Sequence, residues 1–400
     1  MTLIASTLNH KMPIILSDLL WSAEDEADAA RLPTVGPDYA QYLPIDQKDK
    51  PRELGQKMYI VAGKICLVFA GLNGEIRTFL HVFQEMFQKK GLKISRENID
   101  QFLKAYQLEH HFKESGFFIT YIENRAGGSV QVNQFYSPRE TNQVDPQEFN
   151  YAEGLWNVMK DPVYESTAAF GTGAKGFLQL IRQPVKFDSR FPEGDFMRAV
   201  QTNTALIAKL LALERVSLYT IRENWGGGFE MAYYNGRKFE KVDKIAYVIS
   251  HSQFDAAGDI GLPIPMLIMY YRYVKDMLYI TALEVHKYRI EETDTHIRFT
   301  SVWGEFMTTI FEVPGIDVEN IDAVAMPADF SFATDRIAMG YSLTLPDKSP
   351  FNPSFFNLGP AVTVTFQQKK SVEVLLHKQI AADIRQAARE QYPRLITAAS

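Results

Sequence analysis

A single cysteine, Cys66, in 400 residues leaves no partner for a disulfide within the chain and too few thiolates for a Cys-rich zinc site, and it fits a reducing compartment. An excess of positive charge is missing too: the net charge of −6 gives a nucleic-acid partner no electrostatic support. No apolar run reaches about 18 residues, and no basic segment precedes an apolar one near the start. Neither a membrane span nor a signal peptide is therefore expected, and the cytoplasm is the default. Internal repeats and low-complexity tracts are also lacking. What is present, 46% apolar and 22% charged residues, is the composition of a soluble globular protein with a sizeable core. The length suggests two domains, or one with a large appendage.

The start of the chain reads as structure at once. Residues 1–8 and 13–18 pattern as strands, with Asn9, His10 and Lys11 suited to a turn between them. Removal of Met1, usual when a small residue follows, makes Thr2 the first residue. Its hydroxyl and free α-amine then sit on neighbouring carbons, and an amine titrating near pH ~7.7–8.0 can take the proton of its own nucleophile.

An acidic, proline-bearing stretch over 23–56 reads as a large loop, a lid or contact surface. A hairpin is expected over 57–61 and 65–70, then a helix over 75–89 stopped by Gly91, and a second helix capped by Ser95. Strands follow at 116–122 and 130–136, and a polar insertion at 137–162. Gly171-Thr172-Gly173 leads into a short helix, a longer helix covers 196–213, and strands return at 216–221, 229–234 and 244–250. Strands, two helices, strands, two helices, strands is an order that two stacked sheets with a helix pair on each outer face would satisfy, a four-layer α-β-β-α sandwich. From about residue 255 the pattern changes to strands at 266–273, 277–286, 297–302, 306–311 and 361–366. It ends in a helix carrying Leu376, Ile380, Ile384 and Ala388. Two units are thus expected, 1–254 with insertions at 23–56 and 137–162, and a β-rich extension over 255–400.

Five features recur in a set order. Thr2 opens an apolar strand, and Asp18 follows it by sixteen positions. Lys57-Met58-Tyr59-Ile60 leads to Phe69-Ala70-Gly71, with Gly71 fourteen positions after Lys57. Gly171-Thr172-Gly173 precedes a helix, and Glu223-Asn224-Trp225-Gly226-Gly227-Gly228 precedes a strand. Together they resemble the proteasome β-subunit family of N-terminal-nucleophile hydrolases, including bacterial relatives such as Anbu. The resemblance implies an acyl-enzyme on Thr2, with Lys57 as a cation that favours the free amine and the alkoxide. It implies Asp18 as that lysine's counter-charge, and Gly71 as the backbone N–H donor to the oxyanion. Thr172 and Glu223 would form an outer shell that hydrogen-bonds the amine and orients Asp18. Trp21, Phe69 and Asn73 fall where the family shapes its substrate pocket. Two departures stand out. Gly226 occupies a place where the family usually has a serine, and 38 residues separate Asp18 from Lys57, more than twice the family's norm.

The activity implied is a threonine-type peptidase on peptide or protein substrates, with no metal or organic cofactor. The resemblance also implies assembly into a homo-oligomeric ring or spiral, and it leaves any ATPase partner open. The alternatives are a non-catalytic scaffold subunit and an amidase acting on a small amide. Other constellations fail. The segment 171–176 lacks the spacing of a phosphate loop, adjacent His110 and His111 point to different helix faces, and Ser250, His251 and Asp255 stand too close in sequence to assume a triad.

Overall fold

The computed structural model describes residues 3–9, 12–23, 30–36, 38–44, 50–109, 115–125, 128–136, 157–159, 164–181, 196–254, 259–274, 276–311, 336–344, 350–351, 354–357, 362–367 and 371–391. It is a mixed α/β chain, rich in strand.

The first strands are β1 (Ile4–Asn9) and β2 (Met12–Asp18), paired antiparallel with Ile4 opposite Ser17. Within the described part of the stretch expected as a loop, residues 30–36 and 38–44 are turn and coil with one short helical turn, and near its end β4 (Lys50–Leu54) pairs with β3 (Leu20–Ala23), which leads into it. Leu32, Val35 and Tyr39 from the same insertion are buried with Leu20 and Ile221, so part of it has a core of its own. Pro51 pairs with Ser22 at a register shift, where a bulge tolerates a residue without an N–H.

β5 (Met58–Val61), β6 (Ile65–Ala70), β7 (Gly116–Arg125) and β8 (Gly128–Tyr136) form a four-stranded antiparallel sheet. Between them run α1 (Asn73–Gln84) and α2 (Arg96–Glu109). α1 ends in a wider π turn over Glu85–Lys89; Leu92 N–H then bonds Met86 O at 3.0 Å around Gly91, whose φ of +67° suits a residue without Cβ. Ser95 accepts the Asn98 N–H at 3.4 Å and caps α2 as expected. Ser95→Ala should lower stability by about 1 kcal/mol in urea unfolding. Phe69, Phe79, Phe83, Phe102 and Phe117 close the space between this sheet and the two helices, Phe79 stacking on Phe117 at 3.8 Å.

β9 (Asn157–Met159) and β10 (Tyr164–Phe170) precede α3 (Ala174–Ile181) and α4 (Phe196–Ser217). The strand expected at 216–221 does not exist. α4 runs through Ser217, Leu218 turns with φ +55°, and a short α5 (Tyr219–Arg222) follows. Val216 and Leu218 carry a strand-like alternation, but burial of α4 over 199–212 on all sides decides for helix. β11 (Phe229–Tyr234) and β12 (Phe239–Lys241) complete a six-stranded sheet in the order β12-β11-β2-β1-β10-β9. A cluster of Ile4, Ile15, Cys66, Val68, Phe118 and Ala232 joins this sheet to the four-stranded one.

β13 (Ile245–Ser252), β14 (Ile264–Val274), β15 (Met277–Glu292) and β16 (His296–Phe311) begin a nine-stranded sheet. β17 (Ile337–Thr344), β18 (Pro350–Phe351), β19 (Ser354–Asn357), β20 (Val362–Gln367) and β21 (Ser371–His377) complete it, and α6 (Lys378–Gln391) closes the described chain. β13, placed before residue 254 by the sequence, thus pairs with β14 and β17 of the extension. The two strands expected at 297–302 and 306–311 are one; at Gly304 a Cβ would lie 2.6 Å from Glu284 O, so glycine lets β16 pass the bulge in β15 unbroken. Leu376 belongs to β21 rather than to the last helix, since Val372, Val374 and Leu376 are buried at a period of two. One face of this sheet packs with α6 through Val374, Leu376 and Ile384. The other packs with α3 and α4, where Phe177, Leu206 and Leu210 meet Leu3 and Leu16 on one side and Met269, Ile280 and Ala338 on the other. Among the described residues, no helix is long and apolar enough to cross a membrane.

Candidate functional site

β2 ends on Asp18, and the residue just before β5 is Lys57; the pairing of the two sheets brings them together. Lys57 Nζ donates to Asp18 Oδ1 at 2.7 Å, with the side chains 1% and 0% exposed. Nζ also donates to Leu20 O and lies 5.4 Å from the centre of the Trp21 ring. Burial pushes the Lys57 pKa below that of a free lysine, and the charge and hydrogen bond of Asp18 pull it back up. Asp18 thus offsets part of what burial costs the charged form of Lys57.

Asp18 does more than neutralise Lys57. Its Oδ1 accepts the Leu3 N–H at 3.0 Å, and its own N–H bonds Leu3 O at 3.0 Å. The Leu3 nitrogen belongs to the peptide bond that joins Leu3 to Thr2, so the lysine and the second peptide of the chain share one carboxylate oxygen. Oδ2 accepts the Gly226 N–H at 2.9 Å. Gly226, Gly227 and Gly228 have φ of +108°, +69° and +119°, and the carbonyl of Gly226 accepts both Leu19 N–H and Leu20 N–H. This turn wraps the segment that carries Asp18.

Thr2 itself lies outside the described residues, as do His110, His111 and Asp255. Gly71 follows the last residue of β6 with φ +122°, two residues beyond Phe69, whose N–H bonds Lys57 O at 3.0 Å. Asn73 opens α1, and its Oδ1 is buried with no hydrogen-bond partner among the described residues. Trp21 stands beside the lysine, whereas Phe69 is fully buried under α1 and α2 as a core side chain. Thr172 and Glu223 are exposed. Glu223 lines a surface hollow with Tyr219 and Arg222, and Asp18 is met by the Gly226 backbone at the place the resemblance gave to Glu223. Among the described residues, no three His, Cys, Asp or Glu side chains stand close enough to hold a metal ion.

No protein-family model matches the chain, and no curated protein does.

Two buried carboxylates passed unnoticed in the sequence. Glu230 Oε2 accepts the Lys57 backbone N–H at 2.8 Å, and its Oε1 pairs with Lys241 Nζ at 2.9 Å. Lys241 Nζ also reaches Gln56 Oε1 at 2.6 Å, and Gln56 Nε2 donates to Asp276 O and Phe311 O of the extension at 2.7 and 2.6 Å. The segment leading into β5 is thereby tied to the six- and nine-stranded sheets. The second is Glu214 on α4, whose carboxylate accepts Thr220 Oγ1–H and the Gly227 N–H at 3.1 Å. Each had a signal. Glu230 interrupts an apolar strand, and Glu214 continues the four-residue spacing of Leu206 and Leu210 on α4.

Proposed function

We propose that the chain is an N-terminal threonine hydrolase, a peptidase working through an acyl-enzyme on Thr2. The observation that carries this reading is the buried Lys57–Asp18 pair, whose carboxylate also grips the Leu3 amide, next in sequence to Thr2. The succession of α1 and α2, four-stranded sheet, six-stranded sheet, and α3 with α4 supports the four-layer sandwich of this hydrolase class. In the proposed reaction Thr2 Oγ attacks the scissile carbonyl carbon and its proton passes to the α-amine. The carbon–nitrogen bond breaks as the leaving amine takes that proton, and water then cleaves the ester and restores the hydroxyl. Lys57 keeps a positive charge next to these groups, and the N–H of Gly71 is the oxyanion donor. Trp21 beside Lys57 and the unfilled Asn73 Oδ1 are the pocket residues with the most direct support.

The reading requires loss of Met1. Intact mass should show its removal, and an electrophilic threonine-directed probe such as a β-lactone should add once, on Thr2, with Thr2→Ala abolishing the adduct. Comparing fluorogenic peptides with simple amides then separates a peptidase from a small-amide hydrolase. The exposure of Thr172 and Glu223 favours a second reading, a non-catalytic subunit that keeps the fold as a scaffold. Retained Met1 with no adduct would decide for that alternative.

A further inference from the structure

The place where the resembling family carries a serine is filled in this chain from elsewhere. At Gly226 a Cβ would lie 2.0 Å from Glu214 Oε2 and 2.7 Å from Thr220 Oγ1, so no side chain fits while Glu214 is there. Glu214 is 0% exposed. It holds the next peptide, Gly227 N–H, while the Gly226 N–H holds Asp18. One turn therefore has a carboxylate on each side of it, Asp18 at one peptide and Glu214 at the following one.

We infer that Glu214 is a positioning residue for the Asp18–Lys57 centre: by anchoring the Gly226–Gly228 turn it sets how firmly that turn grips Asp18, and its protonation state tunes that grip. The inference rests on the reading of Thr2 as a nucleophile. Burial pushes the Glu214 carboxyl up to about 7, against the hydrogen bonds from Thr220 and the Gly227 N–H, and the charge of Asp18 on β2 adds to the rise. Among the described residues, Tyr39 from the insertion and Tyr271 from β14 also feel its charge, both raised mainly by burial. The ionised form offers acceptors to Thr220 and Gly227 together. The protonated form gives up part of that capacity, so the turn holds Asp18 better as pH rises through the Glu214 titration.

The test follows β-lactone labelling of Thr2 on the intact chain against pH, in wild type, Glu214→Gln and Thr220→Val. Gln keeps an acceptor for Gly227 but cannot ionise. The ratio of wild-type to Glu214→Gln labelling rate is expected to rise about ten-fold between about pH 6 and pH 8, because the α-amine limb is common to both and cancels. Thr220→Val removes a hydrogen bond to the charged form and should move the wild-type inflection upward, which decides the matter if Glu214→Gln does not fold. A pH-independent ratio, or an unmoved inflection in Thr220→Val, overturns the role of Glu214 and leaves the hydrolase reading standing. Wild type that never labels at Thr2 removes the hydrolase reading, and this inference with it.

Discussion

A Lys57→Met chain should lose about 3–5 kcal/mol of stability and label Thr2 about 10³-fold more slowly, or worse. Met keeps the length and most of the volume of the lysine stem, so the change isolates the charge. Asp18 then keeps the N–H groups of Leu3 and Gly226 but loses the ammonium at its Oδ1, in a position that is fully buried. An anion left this way costs far more than the pair contributed when intact. Leu20 O loses a donor as well. Urea unfolding gives the first quantity and probe labelling, on protein whose circular dichroism shows it folded, gives the second. A folded variant that labels at the wild-type rate would remove the lysine from the mechanism.

Gly340→Ala should be the most damaging single-methyl change outside the site. Gly340 lies in β17 beneath α4, and a Cβ there would stand 2.1 Å from Ala208 O and 2.9 Å from Ile249 Cδ1. Rotation of a side chain cannot relieve a clash with helix backbone. α4 is packed between two sheets and has no open side to move into. Overpacking of this kind should cost about 3 kcal/mol or more, read as a lowered urea midpoint at unchanged slope. A loss below about 1 kcal/mol would mean that α4 and β17 are not in contact.

Much of the architecture could be read from local pattern. β2, β6 and β11 lie within a residue of their expected bounds and α2 starts right after its expected cap, because apolar period and cap residues agree there with tertiary burial. Where they disagree, burial wins. Val216 and Leu218 alternate like a strand, yet α4 is surrounded by apolar surface and continues past them. The strands expected at 297–302 and 306–311 run together, and what spans the gap, the bulge of β15 opposite Gly304, is a non-local feature. The site divides in the same way. Asp18 and Lys57 came into view through the resemblance, whereas Glu214 and Glu230 act through backbone N–H groups far away in sequence, which no local motif reaches.

Cys66 faces the seam between the four- and six-stranded sheets, packed with Ile15, Val68 and Ala232, and burial pushes its thiol well above the usual range. A thiol reagent attacks only thiolate that solvent can reach. As the sole sulfhydryl of the chain, Cys66 is thus a native reporter for parting of those two sheets. The rate at which an aromatic disulfide is consumed clocks that opening event, with no label having to be engineered.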